Sequence, residues 1–131
     1  MFDVWNTLKQ WIYKKDTALF FKEGEVLWIH LGVNIGDEEY GKGKKFLRPV
    51  LVIKRFNSRI FLGVPLTSSL KKGQYYFPLS IRKRDKNIVK NTALLSQLRV
   101  FDAKRIQNSF GTIAPAELVF LKEKAKKVLL S

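Results

Sequence analysis

The sequence predicts a mainly β fold, a small single-domain barrel with an added helix near each end of the chain. Three observations carry this. The hydrophobic residues fall in short runs bounded by turn formers, such as Val50-Leu-Val-Ile53 and Ile60-Phe-Leu-Gly-Val-Pro-Leu66. Helical spacing recurs only at the two ends of the chain. A length of 131 residues with 46% hydrophobic content suits one modest core and leaves no room for a second domain, so residues 1–131 read as one unit.

Taken in order, Asp3 can cap a first helix whose Val4, Trp5, Leu8, Trp11 and Ile12 share one face, an extension covering residues 1–16. Lys14-Lys-Asp-Thr17 is a polar break. The first strand is expected over Glu25–Val33. His30 lies within it and reads as a satisfied structural imidazole. Asn34-Ile-Gly36 opens a long loop to Leu47, which carries Asp37, Glu38 and Glu39, and loops of that length are usually functional or mobile. Val50–Ile53 reads as a strand covered on both faces, with Pro49 able to open it but not to sit inside it. A hairpin through Asn57-Ser58 brings Ile60–Leu66 back beside it. Arg48 and the hydroxyl cluster Thr67-Ser-Ser69 then fall at the same end of the sheet, because antiparallel neighbours place the start of one strand beside the finish of the next.

Leu70-Lys-Lys-Gly73 is a turn, and Tyr75–Ile81 another strand, which Pro78 marks as an edge or bulged one. Arg82-Lys-Arg-Asp-Lys86 reads as a basic loop, either a solvated turn or, beside Tyr75, Tyr76 and Phe77, a surface for phosphates and stacked bases. Thr92–Gln97 and Leu98–Ile106 are expected as strand segments and Gly111–Ile113 as a short one. Pro115 and Glu117 begin a C-terminal helix with Leu118, Leu121, Ala125, Val128 and Leu129 inward and Lys122, Lys124, Lys126 and Lys127 toward solvent.

Net charge is +14 and uneven: residues 1–40 carry −3 and residues 41–131 carry +17. Solubility alone does not require that asymmetry, and a polyanionic partner explains it. With no cysteine and one histidine there is no disulfide framework and no thiolate or histidine metal cluster, so a cytoplasmic protein needing neither metal nor cofactor is expected. No apolar run approaches the roughly 20 residues of a membrane span, so no membrane partner is expected.

Five motifs, Gly24-Glu-Val-Leu-Trp28, Gly36-Asp-Glu38, Arg48-Pro-Val-Leu-Val52, Val64-Pro-Leu-Thr67 and Leu95-Ser-Gln-Leu-Arg99, stand in the order and spacing of the MazF/PemK-like toxins, and the chain resembles that family over about residues 23–130. The resemblance implies an SH3-like barrel, a homodimer, and a metal-independent endoribonuclease that cuts single-stranded mRNA and is neutralised by an antitoxin. It implies catalytic roles for Arg48 and Thr67, and for a carboxylate matching Glu38 in a loop that Lys42–Phe46 lengthens here. Ser68, Gln97 and Arg99 match positions along the RNA path, and Lys45, Arg82 and Arg84 are further candidates for RNA phosphates. The +17 half predicts an acidic antitoxin segment folding over residues 41–99.

RNA supplies its own nucleophile, the 2′-hydroxyl, so a protein need only align the attack, move protons and stabilise the growing phosphorane charge. Arginine's planar fork suits the last task, and a threonine hydroxyl can add a third donor. Two other classes fit the same residues: a non-catalytic RNA-binding barrel, which would tolerate loss of Arg48, and a topoisomerase-poisoning toxin of this fold, which would need a hydrophobic tail in place of the lysine-rich one.

Overall fold

The computed structural model describes residues 21–31 and 47–130. The expected N-terminal helix and most of the 36–47 loop lie outside them. Strands β1 (Glu25–His30), β2 (Leu47–Arg55), β3 (Ile60–Thr67), β4 (Tyr76–Lys83) and β5 (Ile88–Leu94) are followed by a 3-10 turn at Leu95–Gln97. Then come β6 (Arg99–Asp102), a second 3-10 turn at Ala103–Arg105, β7 (Ile106–Thr112) and helix α1 (Pro115–Leu130). The pairings run β2-β1-β7-β4-β5-β3 and return from β3 to β2, closing a six-stranded barrel, while β6 extends the pairing of β3 beyond β5. The fold is the small SH3-like barrel expected, mainly β with α1 packed on its side.

β2 is buried on both faces, as its unbroken aliphatic run implies. Leu51 and Ile53 join Val26, Val64, Ile81 and the helix residues Leu121 and Ala125 in one core cluster. Val50 and Val52 face a second cluster around Phe21, Ile29, Phe61 and Phe101. A strand has a side-chain period of two, so alternate residues serve the two clusters.

Four local expectations are corrected. Pro49 does not open β2: the strand starts at Leu47, and Pro49 is paired with Trp28 of β1. It is tolerated because the β2–β3 ladder ends one residue later, at Val50 opposite Pro65, so no bond on that side needs its missing N–H. Leu95–Gln97 forms a 3-10 turn and β5 begins at Ile88, earlier than expected. Arg82 belongs to β4 instead of a loop. Lys122 and Lys124 are not simply solvated: Lys122 pairs with Glu23 at 3.2 Å, and Lys124 Nζ donates to the Tyr76 carbonyl at 3.0 Å.

That last bond belongs to a device that uses Pro78 as the sequence suggested. β4 is paired to β5 along its length but to β7 only at Arg82 and Lys83, so its other edge is open near Pro78. α1 covers the opening. The Tyr76 carbonyl takes the Lys124 ammonium, Pro78 has no N–H to satisfy, and the Ser80 N–H donates to the Glu117 carboxylate at 3.3 Å. His30 is likewise satisfied, its Nε2 lying 2.7 Å from Gln107 Oε1.

Candidate functional site

Where the β2–β3 ladder stops, the two strands part. Arg48 and Pro49 stay with β1, opposite Ile29 and Trp28, while Leu66 and Thr67 cross to pair with Ala93 and Thr92 of β5. The gap is a pocket of about 280 Å³, lined by Trp28, Leu47, Arg48, Pro49, Leu66, Thr67, Ser68, Asn91 and Phe110. Among the described residues Arg48 is its one charged lining residue and none is acidic. The site therefore favours an anion.

The polar groups are held by local geometry. Thr67 Oγ1 accepts the Ser69 N–H at 3.2 Å, which fixes the hydroxyl's place at the strand end and leaves its own proton free to donate. Ser68 stands exposed at the rim. Asn91, 6% exposed, donates Nδ2 to the Lys90 carbonyl at 2.8 Å. That bond anchors the amide beside the pocket. Trp28 packs against Phe110 with ring centres 5.0 Å apart, and Lys83 Nζ lies 6.0 Å from the Phe110 ring centre. Two aromatics beside an arginine and a hydroxyl can take a base and its phosphate together.

The other expected site residues lie apart. Arg99 pairs with Gly63, four residues along β3 from Thr67 and so roughly 13 Å away at 3.3 Å per residue. Its guanidinium sits 4.7 Å from the centre of the Phe101 ring. Gln97 is exposed on the 3-10 turn and does not line the pocket. Arg82 lines a different cavity of about 370 Å³ beside the start of α1, with Ser80, Pro115 and Glu117, and Arg84 lies in the exposed turn after β4. Glu38 and Lys45 fall outside the described residues.

Asn91, Trp28 and Phe110 were not foreseen as site residues, since three separate strands deliver them. The one available signal was parity: Trp28 alternates with the buried Leu27 and Ile29 and so must face the other side of β1. Among the described residues no group of three or more His, Asp or Glu is placed to hold a metal ion. None of their helices is long and apolar enough to cross a membrane.

Solved structures share this architecture. The chain is similar to an endoribonuclease in complex with its cognate antitoxin from Mycobacterial species, with 11% identity and a TM-score of 0.62 over 84% of this chain and 95% of that one. It is similar to MazF (Form-I) from Deinococcus radiodurans at 18% identity and TM-score 0.58, covering 85% of this chain and 97% of that one. The MazE–MazF structure (Form-II) from the same organism gives 16% identity and TM-score 0.56 over 83% and 94% of the two chains. At such identities the likeness is one of fold. A search of curated protein sequences finds no match. Family membership rests instead on the sequence model of the PemK-like, MazF-like toxins, which matches residues 22–129 and so spans most of the chain. The chain belongs to the PemK-like, MazF-like toxins of type II toxin–antitoxin systems.

Proposed function

We propose that this protein is a sequence-specific endoribonuclease toxin that cuts single-stranded mRNA in the cytoplasm without a metal ion, and that an acidic cognate antitoxin neutralises it. The observation that carries this reading is the convergence of Arg48 and Thr67 on one pocket at the point where β3 leaves β2. Family membership and the endoribonuclease named among the similar structures support it.

In this reading the 2′-oxygen attacks the adjacent phosphorus and the bond to the 5′-oxygen breaks. The products carry a 2′,3′-cyclic phosphate and a 5′-hydroxyl. Arg48 holds the non-bridging oxygens with its fork, and Thr67, whose oxygen is already occupied by the Ser69 N–H, donates its proton to the same phosphate. One proton must leave the 2′-hydroxyl and one must reach the 5′-oxygen. A guanidinium is a poor proton acceptor, so we assign the first transfer to Glu38, and the proton that the 5′-oxygen needs comes back from the same carboxyl or from solvent. Ser68 meets RNA at the rim, while Gln97, Arg99, Arg82 and Arg84 would meet it only beyond the pocket.

Arg48→Lys tests the reading. Lysine keeps the charge but loses the fork, so RNA affinity should stay within a fewfold while cleavage falls by roughly 10²–10³. Cleavage by the parent should survive EDTA, and a substrate with one deoxynucleotide at the cut position should bind and stay intact. A variant that cuts as fast as the parent, or a deoxy substrate that is cleaved, would end the mechanism. RNA that shifts in a gel but is never cut would make the protein a binding barrel.

A further inference from the structure

A wide cleft in the described residues lies away from the Arg48 pocket, between the loop joining β3 to β4 and the second half of α1. It measures about 1190 Å³ and is lined by Gln74, Tyr75, Lys124, Lys126 and Lys127, with Glu123 the one acidic group. That exceeds the roughly 300–1,000 Å³ of small-molecule pockets, and its walls are mostly cationic and polar. Its shape and charge suit a polyanionic chain.

The cleft lies within a few nucleotides' reach of the pocket. Thr67 and Pro78 flank Thr92 on opposite sides of β5, and Tyr76 lies two residues further along β4, so Thr67 and Tyr76 are roughly 12 Å apart by strand spacing. Between them runs the loop Ser68–Gln74, exposed throughout and carrying Lys71 and Lys72. The aromatic at the far end is held firmly. The Tyr75 carbonyl accepts the Leu95 N–H at 2.8 Å, and the Tyr76 N–H bonds the Gly73 carbonyl at 3.2 Å in a turn that needs Gly73 at φ +144°. Tyr75 itself is 38% exposed. An exposed ring on a hydrogen-bonded backbone, with lysines on one side, is a platform for one base and its flanking phosphates.

We infer that this cleft is an RNA subsite: a strand whose scissile phosphate sits at Arg48 continues over Lys71 and Lys72 and lays a flanking nucleotide on Tyr75, its phosphates against Lys124 and Lys126. The inference rests on the nuclease reading for the direction of the strand, but it is measured by binding alone. Two RNAs carrying a 2′-deoxynucleotide at the cut position, one just long enough to fill the pocket and one extended by about six nucleotides on either side, are titrated against the parent, Tyr75→Ala and Lys126→Gln.

The parent should bind the extended RNA at least tenfold tighter than the short one. Tyr75→Ala should lose about tenfold on the extended RNA alone, the order expected for one base–aromatic stack. Lys126→Gln should lower the slope of log affinity against log salt by about 0.7, one phosphate on a single strand. Both positions are at the surface, and unchanged binding of the short RNA shows that the pocket is intact. Equal affinity of the parent for both lengths, or variants that hold the extended RNA as the parent does, overturns the subsite. So does loss of an acidic peptide's binding with RNA binding kept, which would give the cleft to a protein partner. Failure of the nuclease reading appears separately, as an all-ribose short RNA that binds and is never cut.

Discussion

Asn91 is kept almost out of water beside a pocket whose described lining holds a single cation, and it shows what the local chemistry demands. A carboxylate there would face the phosphate that Arg48 is proposed to hold. At about 6 Å and an effective dielectric of about 20, two like charges cost about 3 kcal/mol, more than a hundredfold in affinity. Asn91→Asp should therefore abolish most RNA binding, while Asn91→Ala, which removes an amide without adding charge, should cost no more than about tenfold. Titration of the two variants with uncleavable RNA checks this, and equal losses would show that no phosphate sits near Asn91. The same residue shows the limit of the sequence reading. Arg48 and Thr67 were legible as neighbours because one hairpin joins them. Asn91 reaches the pocket only because Thr92 pairs with Thr67, a contact between strands 25 positions apart that local pattern does not encode. Gln97 and Arg99 were read in the strand segments Thr92–Gln97 and Leu98–Ile106, but a 3-10 turn at Leu95–Gln97 interrupts the first and separates both residues from the pocket.

At the scale of elements, the barrel depends on a close approach of β4 and β7. They share only the pairs Arg82–Thr112 and Lys83–Gly111, and a Cβ on Gly111 would lie on the Arg82 carbonyl oxygen and within 2.9 Å of Ile81 Cγ2. The first obstacle is backbone, which cannot rotate aside. Gly111→Ala should destabilise by about 1–3 kcal/mol, the usual range for overpacking, and a chemical denaturation midpoint unchanged from the parent would refute this. The helix is fastened at a second place through Glu23. Burial pushes its carboxyl up, but the Arg55 N–H, the Lys122 ammonium and the nearby Lys54 together bring it below its ordinary value of 4.5. A depressed folded-state pKa means that its stabilisation is complete above about pH 4.5 and fades as pH falls through the lower folded value. The melting-temperature gap between parent and Glu23→Gln should thus be widest near neutrality and narrow as the pH falls below 4.5; a gap indifferent to pH would remove Glu23 from the account. The spacing of α1 correctly placed Leu121 and Ala125 inward. It misjudged Lys122 and Lys124, because long side chains reach around a helix to partners that periodicity cannot see.

For the whole molecule, the question is what covers the far side of the helix. An apolar groove of about 390 Å³ runs between α1 and the sheet, walled by Ile53, Leu62, Leu98, Ala125, Leu129 and Leu130, and Leu130 is 79% exposed. Lys54, Lys122 and Lys126 also border it. We propose that a second copy closes this groove by a two-fold, self-complementary contact, since one copy's Leu129 and Leu130 can fill the other's groove. Lys54 and Lys122 would then face their counterparts across the axis, with Lys126 left to the RNA cleft that it also lines. Their repulsion opposes an association that apolar burial drives, so added salt, which screens the charges, should strengthen the dimer while it weakens RNA binding. Sedimentation should show a dimer at micromolar concentration with a dissociation constant that falls between 50 and about 300 mM salt, a range set by the Debye length. Leu129→Asp, at a position already part exposed in the single chain, should leave the melting of the barrel cooperative and yield monomers. A parent that stays monomeric at tens of micromolar, or a dimer that salt dissociates, would show that this groove is not where two copies meet.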